Sequence, residues 1–105
     1  MSRSNQVGSH KTSIFTDEFG YTNIVYHSTQ VVRFNDKEII LNTGGFKTST
    51  TKTRMNQASM QFRLGFRVYQ RKYEWYIAYM GETYEYDTSK RMVLNREVLP
   101  SEIHY

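Results

Sequence analysis

The chain has no cysteine, one proline and six glycines among its 105 residues. Without cysteine there are no disulfides and no thiol chemistry, and most zinc sites are excluded. So little proline and glycine argues against a disordered or low-complexity polymer. No apolar run approaches the roughly 18 residues of a membrane span. The first ten residues, Met1 to His10, lack the apolar centre of a signal peptide. These absences point to one soluble, intracellular domain, with no membrane partner and no cofactor.

The most telling absence is local. Residues 39–73 contain no Asp or Glu, yet hold seven of the 14 basic residues: Lys47, Lys52, Arg54, Arg63, Arg67, Arg71 and Lys72. The flanks are neutral or acidic, so a net charge of +4 hides a strongly basic centre. Cations beside hydroxyls, amides and glycines suit a phosphate-bearing ligand.

Hydrophobic content is only 38%, but aromatics reach 15%, and each aromatic ring buries a large area. Residues 1–14 are polar and unpatterned and read as a loose arm before a domain at 15–105. From Tyr21 onward the pattern is extended. Ile24–Tyr26 and Val31–Phe34 are β-branched and aromatic, Asn35-Asp36-Lys37 is a turn, and Glu38–Asn42 returns. Then the period changes: Met55, Ala58 and Phe62 form one stripe of a helix at about 51–63. Thr50, Thr51 or Thr53 is the expected N-cap and Gly65 the C-cap. Alternation resumes over Phe66–Arg71 and Tyr73–Tyr79, with a Gly81-Glu82 turn, a strand at Thr83–Asp87 and a short one at Met92–Leu94. The expectation is an α+β domain: an antiparallel sheet of about six or seven strands with one helix packed on it. Met55, Ala58 and Phe62 should meet some of Val32, Phe34, Ile40, Val68, Trp75 and Ile77.

Two groups of candidate ligand-binding residues follow. At the helix entry, Gly44 and Gly45 allow close backbone approach, Lys47, Lys52 and Arg54 supply charge, and Asn56 and Gln57 supply amides that read a base. The lysine of a Walker A loop should follow glycine, but Lys47 follows Phe46, so that motif is absent. An ordinary capped helix after a polar loop shows the same residues. The second group is Arg63, Arg67, Tyr69 and Arg71, where Arg beside Tyr stacks a base and pairs a phosphate. The alternative is a solvated strand face whose cations meet Glu74, Glu82, Glu85 or Asp87.

Catalysis finds no support. His10, His27 and His104 are scattered, and no nucleophile stands in a recognisable elbow. Three isolated histidines make no metal site. The expectation is a non-catalytic binder of nucleic acid or a nucleotide. The tyrosine-rich sheet and the acidic C-terminal third support a competing reading, a protein-binding inhibitor, because Tyr, Trp and Arg are favoured interface anchors. Unpaired strand edges also allow homo-oligomers.

The run Thr50 to Ser59, with Phe62, Gly65-Phe66, Val68-Tyr69-Gln70, Trp75 and Gly81-Glu82-Thr83, resembles a group of short accessory proteins encoded by tailed bacteriophages. Val31-x-x-Phe34 and Asn42-x-Gly44-Gly45 fit the same resemblance, which spans about residues 21–95. It implies a small accessory protein acting in the cytoplasm of a bacterial host, where it redirects host machinery or neutralises host defence. The inhibitor would then dock on a host or defence protein. Strand edges would also suit a minor virion component, and no catalytic residue is transferred.

Overall fold

The computed structural model describes residues 12–96. Eight strands and one helix follow in the order β1 (Thr12–Thr16), β2 (Thr22–Tyr26), β3 (Thr29–Phe34), β4 (Glu38–Leu41), α1 (Ser49–Phe62), β5 (Phe66–Arg71), β6 (Glu74–Tyr79), β7 (Glu82–Glu85) and β8 (Met92–Asn95). They form two antiparallel sheets, ordered β1-β2-β3-β4-β8 and β5-β6-β7. The architecture is α+β, with the strands divided between two sheets rather than joined in one. Strand β1 takes in Thr12, Ser13 and Ile14, which the sequence pattern placed in the arm. The rest of that arm lies outside the described residues, as does the chain after Arg96.

Alternation explains the five-stranded sheet. Ile24, Val32, Leu41 and Met92 lie opposite one another in successive strands, and Phe34, Ile39 and Leu94 form the next rank. A bulge between Ile24 and Val25 turns Val31 inward as well. Ile40 points away from the core, beside Arg33 and Val93, while its neighbours Ile39 and Leu41 are buried. Its expected place under the helix is therefore corrected: a strand's period of two sends adjacent residues to opposite faces. The smaller sheet contributes Phe66, Val68, Trp75, Ile77 and Tyr79. Each fully buried aliphatic side chain contributes about 1.5–3 kcal/mol.

The turns are tight. Asn35 Oδ1 accepts from the N–H groups of Lys37 (2.8 Å) and Glu38 (3.0 Å), closing the β3–β4 hairpin. The β6–β7 turn is Met80-Gly81, both at positive φ, one residue earlier than the Gly81-Glu82 pair expected. The β5–β6 turn is Lys72-Tyr73, with φ of 50° and 73° and no glycine.

Helix α1 packs against β5 on one side and β2 and β3 on the other. Its N-cap is Thr48, whose hydroxyl accepts from Thr51 N–H (3.2 Å). Its C-cap is Arg63 in the left-handed conformation, two residues before Gly65. The caps thus fall outside the threonines and the glycine expected. Met55 and Ala58 are fully buried, and Phe62 is half-buried against Phe34, ring centroids 5.1 Å apart. Thr51 and Ser59 are also buried, which an apolar stripe does not reveal.

Candidate functional site

The loop between β4 and α1 holds itself together. Asn42 Oδ1 accepts from Gly44 N–H (2.9 Å), and Thr43 Oγ1 accepts from Gly45 N–H (3.1 Å). Thr43 is fully buried, and its hydroxyl donates to the carbonyl of Thr88 (2.9 Å), tying the loop to the β7–β8 connection. Both glycine N–H groups expected to cradle a phosphate are therefore already engaged. Gly44 has a packing role: its φ is +65°, and a Cβ there would lie 2.4 Å from Thr29 Oγ1.

A cleft of about 460 Å³ opens between this loop and the β2–β3 turn. Tyr26, His27, Ser28 and Thr29 line one wall, and Phe46, Thr48 and Thr50 the other. Its size lies within the range of small-molecule sites. Phe46 is 58% exposed, a large apolar ring left at the opening. Lys47, between two lining residues, is exposed beside it. The first turn of α1 contains no acidic residue, so nothing there neutralises the positive end of the helix dipole. Arg54 stands behind Tyr26, its guanidinium 5.1 Å from the ring centroid. Arg54 Nη1 reaches Gln57 Oε1 at 3.5 Å, and its buried Nε has no partner among the described residues.

Lys52 and Asn56 belong to another surface. Lys52 Nζ donates to Gln70 Oε1 (2.8 Å) and lies 5.3 Å from the Trp75 ring. The Asn56 amide donates to Val68 C=O (2.9 Å) and accepts from Val68 N–H (2.8 Å). One turn on, Ser59 Oγ donates to Phe66 C=O (2.7 Å) and accepts from Phe66 N–H (3.0 Å). Side chains of α1 thereby complete the outer edge of β5, as a neighbouring strand otherwise would. Asn56 is engaged at both ends of its amide and is not directed at the cleft.

Arg67, Tyr69 and Arg71 share the outward face of β5, and Arg63 caps the far end of α1. The Arg67 guanidinium lies 5.3 Å from the Tyr69 ring, and Tyr69 stacks on Tyr76 of β6 with centroids 5.6 Å apart. The eleven candidate residues are thus divided among the cleft, the β5–helix seam, the outer sheet face and the helix end. The ion pairs among the described residues are Arg33–Asp17 and Lys90–Asp87, so none of the seven central cations is neutralised in this way.

Tyr26, Phe46 and Thr48 were not among the ligand-binding residues expected from the sequence, and His27 was weighed there only as a catalytic or metal-binding group. The signal for Phe46 was there, a large ring between glycines and a lysine, but β2 supplies the opposite wall. A polar cluster was also missed. Asp17 accepts from Asn23 (3.0 Å), Arg33 (3.1 Å), and the N–H groups of Phe19 (2.9 Å) and Tyr21 (3.0 Å). These bonds, that from Asn23 foremost, lower its pKa to about 2. Tyr21 stacks under Arg33 and donates to Glu38 (2.6 Å), which raises the pKa of its hydroxyl. The cluster fastens the β1–β2 loop to the sheet.

The family model described as Kyanoviridae Gp96 protein matches residues 1–94. The chain belongs to that family. It is therefore a phage protein, and the match extends through the N-terminal residues that the earlier resemblance left out. No curated protein and no solved structure matches the chain. No helix among the described residues is long and apolar enough to cross a membrane. Within the described residues of this Gp96 family member, no three His, Asp or Glu gather as a metal site.

Proposed function

We propose that this phage protein binds a small phosphate-bearing ligand, a nucleotide, in the cleft between the β2–β3 turn and the entry of α1, and binds it without transforming it. The observation that carries the reading is the coincidence of that cleft with the helix N-terminus. Phe46 and Tyr26 offer faces for a base, and the hydroxyls of Ser28, Thr29 and Thr50 offer hydrogen bonds to sugar and phosphate. Lys47 at the rim and the unneutralised helix end favour the anion. No carboxylate lines the cleft to repel a phosphate. In the cytoplasm of an infected cell, such a site would sequester a nucleotide signal of host defence.

The test is titration calorimetry at low salt with mononucleotides and cyclic dinucleotides, alongside thermal melting. Saturable binding that raises the melting temperature supports the reading, by mass action on the folded state. Phe46→Ala and Lys47→Ala should each weaken it. If no nucleotide binds, the cleft reading fails, and a host protein becomes the leading target.

A further inference from the structure

The outward face of the three-stranded sheet takes no part in the cleft, and its chemistry suits another ligand. Across it, Tyr69 lies opposite Tyr76, and Tyr76 opposite Glu85; Arg67 lies opposite Ala78, and Arg71 opposite Glu74. The two tyrosine rings are near-parallel, 26° apart, and half-exposed. The Arg67 guanidinium lies 5.3 Å from the Tyr69 ring centroid. The β5–β6 turn presents Lys72 and a Tyr73 ring that is 90% exposed. On the helix beside Arg67, Met60 is 80% exposed and borders a cleft of about 230 Å³ shared with that arginine. Ala78 leaves low ground next to the rings.

We propose that this face is a platform for single-stranded nucleic acid: bases stack on Tyr69, Tyr76 and Tyr73, and Arg67, Arg71 and Lys72 take the phosphates. Stacking accepts any base, because each has a π-face, and a cationic strand beside the rings follows the backbone. Glu74 and Glu85 lie on the same face, on β6 and β7, and set its limit, keeping the polyanion toward β5. Arg71 faces Glu74 across the ladder, yet no ion pair joins them. The edge of β5 is closed by Asn56 and Ser59, so the platform is its side-chain face and a strand of a partner has no place on that edge. Mixed charge on one face also suits a protein partner. Three accessible tyrosine rings beside three cations without carboxylate partners favour the nucleic acid.

The experiment is fluorescence anisotropy at low salt, using a labelled thymidine oligomer of about ten nucleotides, a length within the usual range of stacking sites. An abasic sugar-phosphate oligomer of equal length reports the charge term alone. The thymidine oligomer should bind at least about a hundredfold more tightly than the abasic one, and Tyr69→Ala or Tyr76→Ala should each weaken it about 5- to 100-fold. Tyr76→Phe keeps the ring and should change affinity by less than about twofold, since the π-face is what stacks. If Tyr76→Ala does not fold, Tyr76→Thr keeps a strand-forming side chain without the ring. Arg67→Ala should lower the slope of log affinity against log salt by about one. Phe46→Ala should leave the oligomer affinity unchanged, which separates this face from the nucleotide cleft. Equal binding of the two oligomers, no detectable binding, or insensitivity to the loss of Tyr76 would overturn the proposal. So would loss of oligomer binding in Phe46→Ala alone.

Discussion

Asn56 and Val68 form a closed pair: one side-chain amide both gives and takes a hydrogen bond with a single backbone residue of β5. With Ser59 and Phe66 doing the same one turn away, the helix stands in for a missing strand. This answers the hazard of an open sheet edge without charge or proline. Asn56→Ala should destabilise the protein by about 1–3 kcal/mol, the cost of leaving buried backbone groups without partners. Urea unfolding measures this, and amide hydrogen exchange should accelerate at Val68. An unchanged urea midpoint would show that the seam is not structural.

The two loop glycines should respond differently to substitution. Gly44→Ala meets Thr29 at 2.4 Å at a positive φ, whereas Gly45→Ala at φ +90° meets nothing within 4 Å. Gly45→Ala should cost about 1–2 kcal/mol through backbone strain alone. Gly44→Ala should cost more, and Thr29→Ala should recover part of the difference. A double-mutant cycle in thermal or urea unfolding checks this, with zero coupling the contrary result.

Tyr86 is buried, and its hydroxyl has no hydrogen-bond partner among the described residues. Burial drives its pKa upward. Tyr86→Phe keeps the edge-to-face contact with Trp75 and removes only the hydroxyl. The variant should be as stable as the parent or more so, by up to about 1 kcal/mol, since an unpaired buried hydroxyl is a cost. A clear loss of stability on urea unfolding would reveal a partner for that hydroxyl.

Asp17 sets part of the acid sensitivity. Its pKa in the folded protein is about 2, against 3.8 for the unperturbed carboxyl. A carboxyl depressed by folding binds its proton more readily when unfolded. Its contribution is therefore present above pH 3.8 and lost as pH falls toward 2. Asp17→Asn should flatten the fall of the melting temperature across that window and leave other pH ranges parallel. Identical profiles would remove Asp17 from the account.

At the cleft, Lys47→Ala should weaken nucleotide binding by about 1.5–3 kcal/mol if the ammonium holds the phosphate. The exposed position of Lys47 leaves the fold untouched. Calorimetry with the best nucleotide of the panel measures the change, and an unaffected affinity would place the phosphate elsewhere.

Much of this architecture was legible in the order of residues. The β-branched runs mark the strands, and the stripe Met55, Ala58, Phe62 marks the one helix and its apolar side, because those periods follow from backbone geometry. Which of Ile39, Ile40 and Leu41 turns inward was decided by the pairing of β4 with β3 and β8. Clustering of cations along the chain was equally plain. Whether they gather in space was a matter for the tertiary structure. Lys52 and Arg54 are two residues apart, which on a helix is about 200°, so one faces Gln70 of β5 and the other Tyr26 of β2. The helix lies between two sheets, and a single basic window is divided between their surfaces. For the same reason the cleft could not be read locally: Phe46 and Thr48 form one wall, and β2 and β3 bring Tyr26 and His27 opposite them. An asparagine's chemistry is equally suited to a base or to a strand edge; packing of α1 against β5 decided that Asn56 holds the edge.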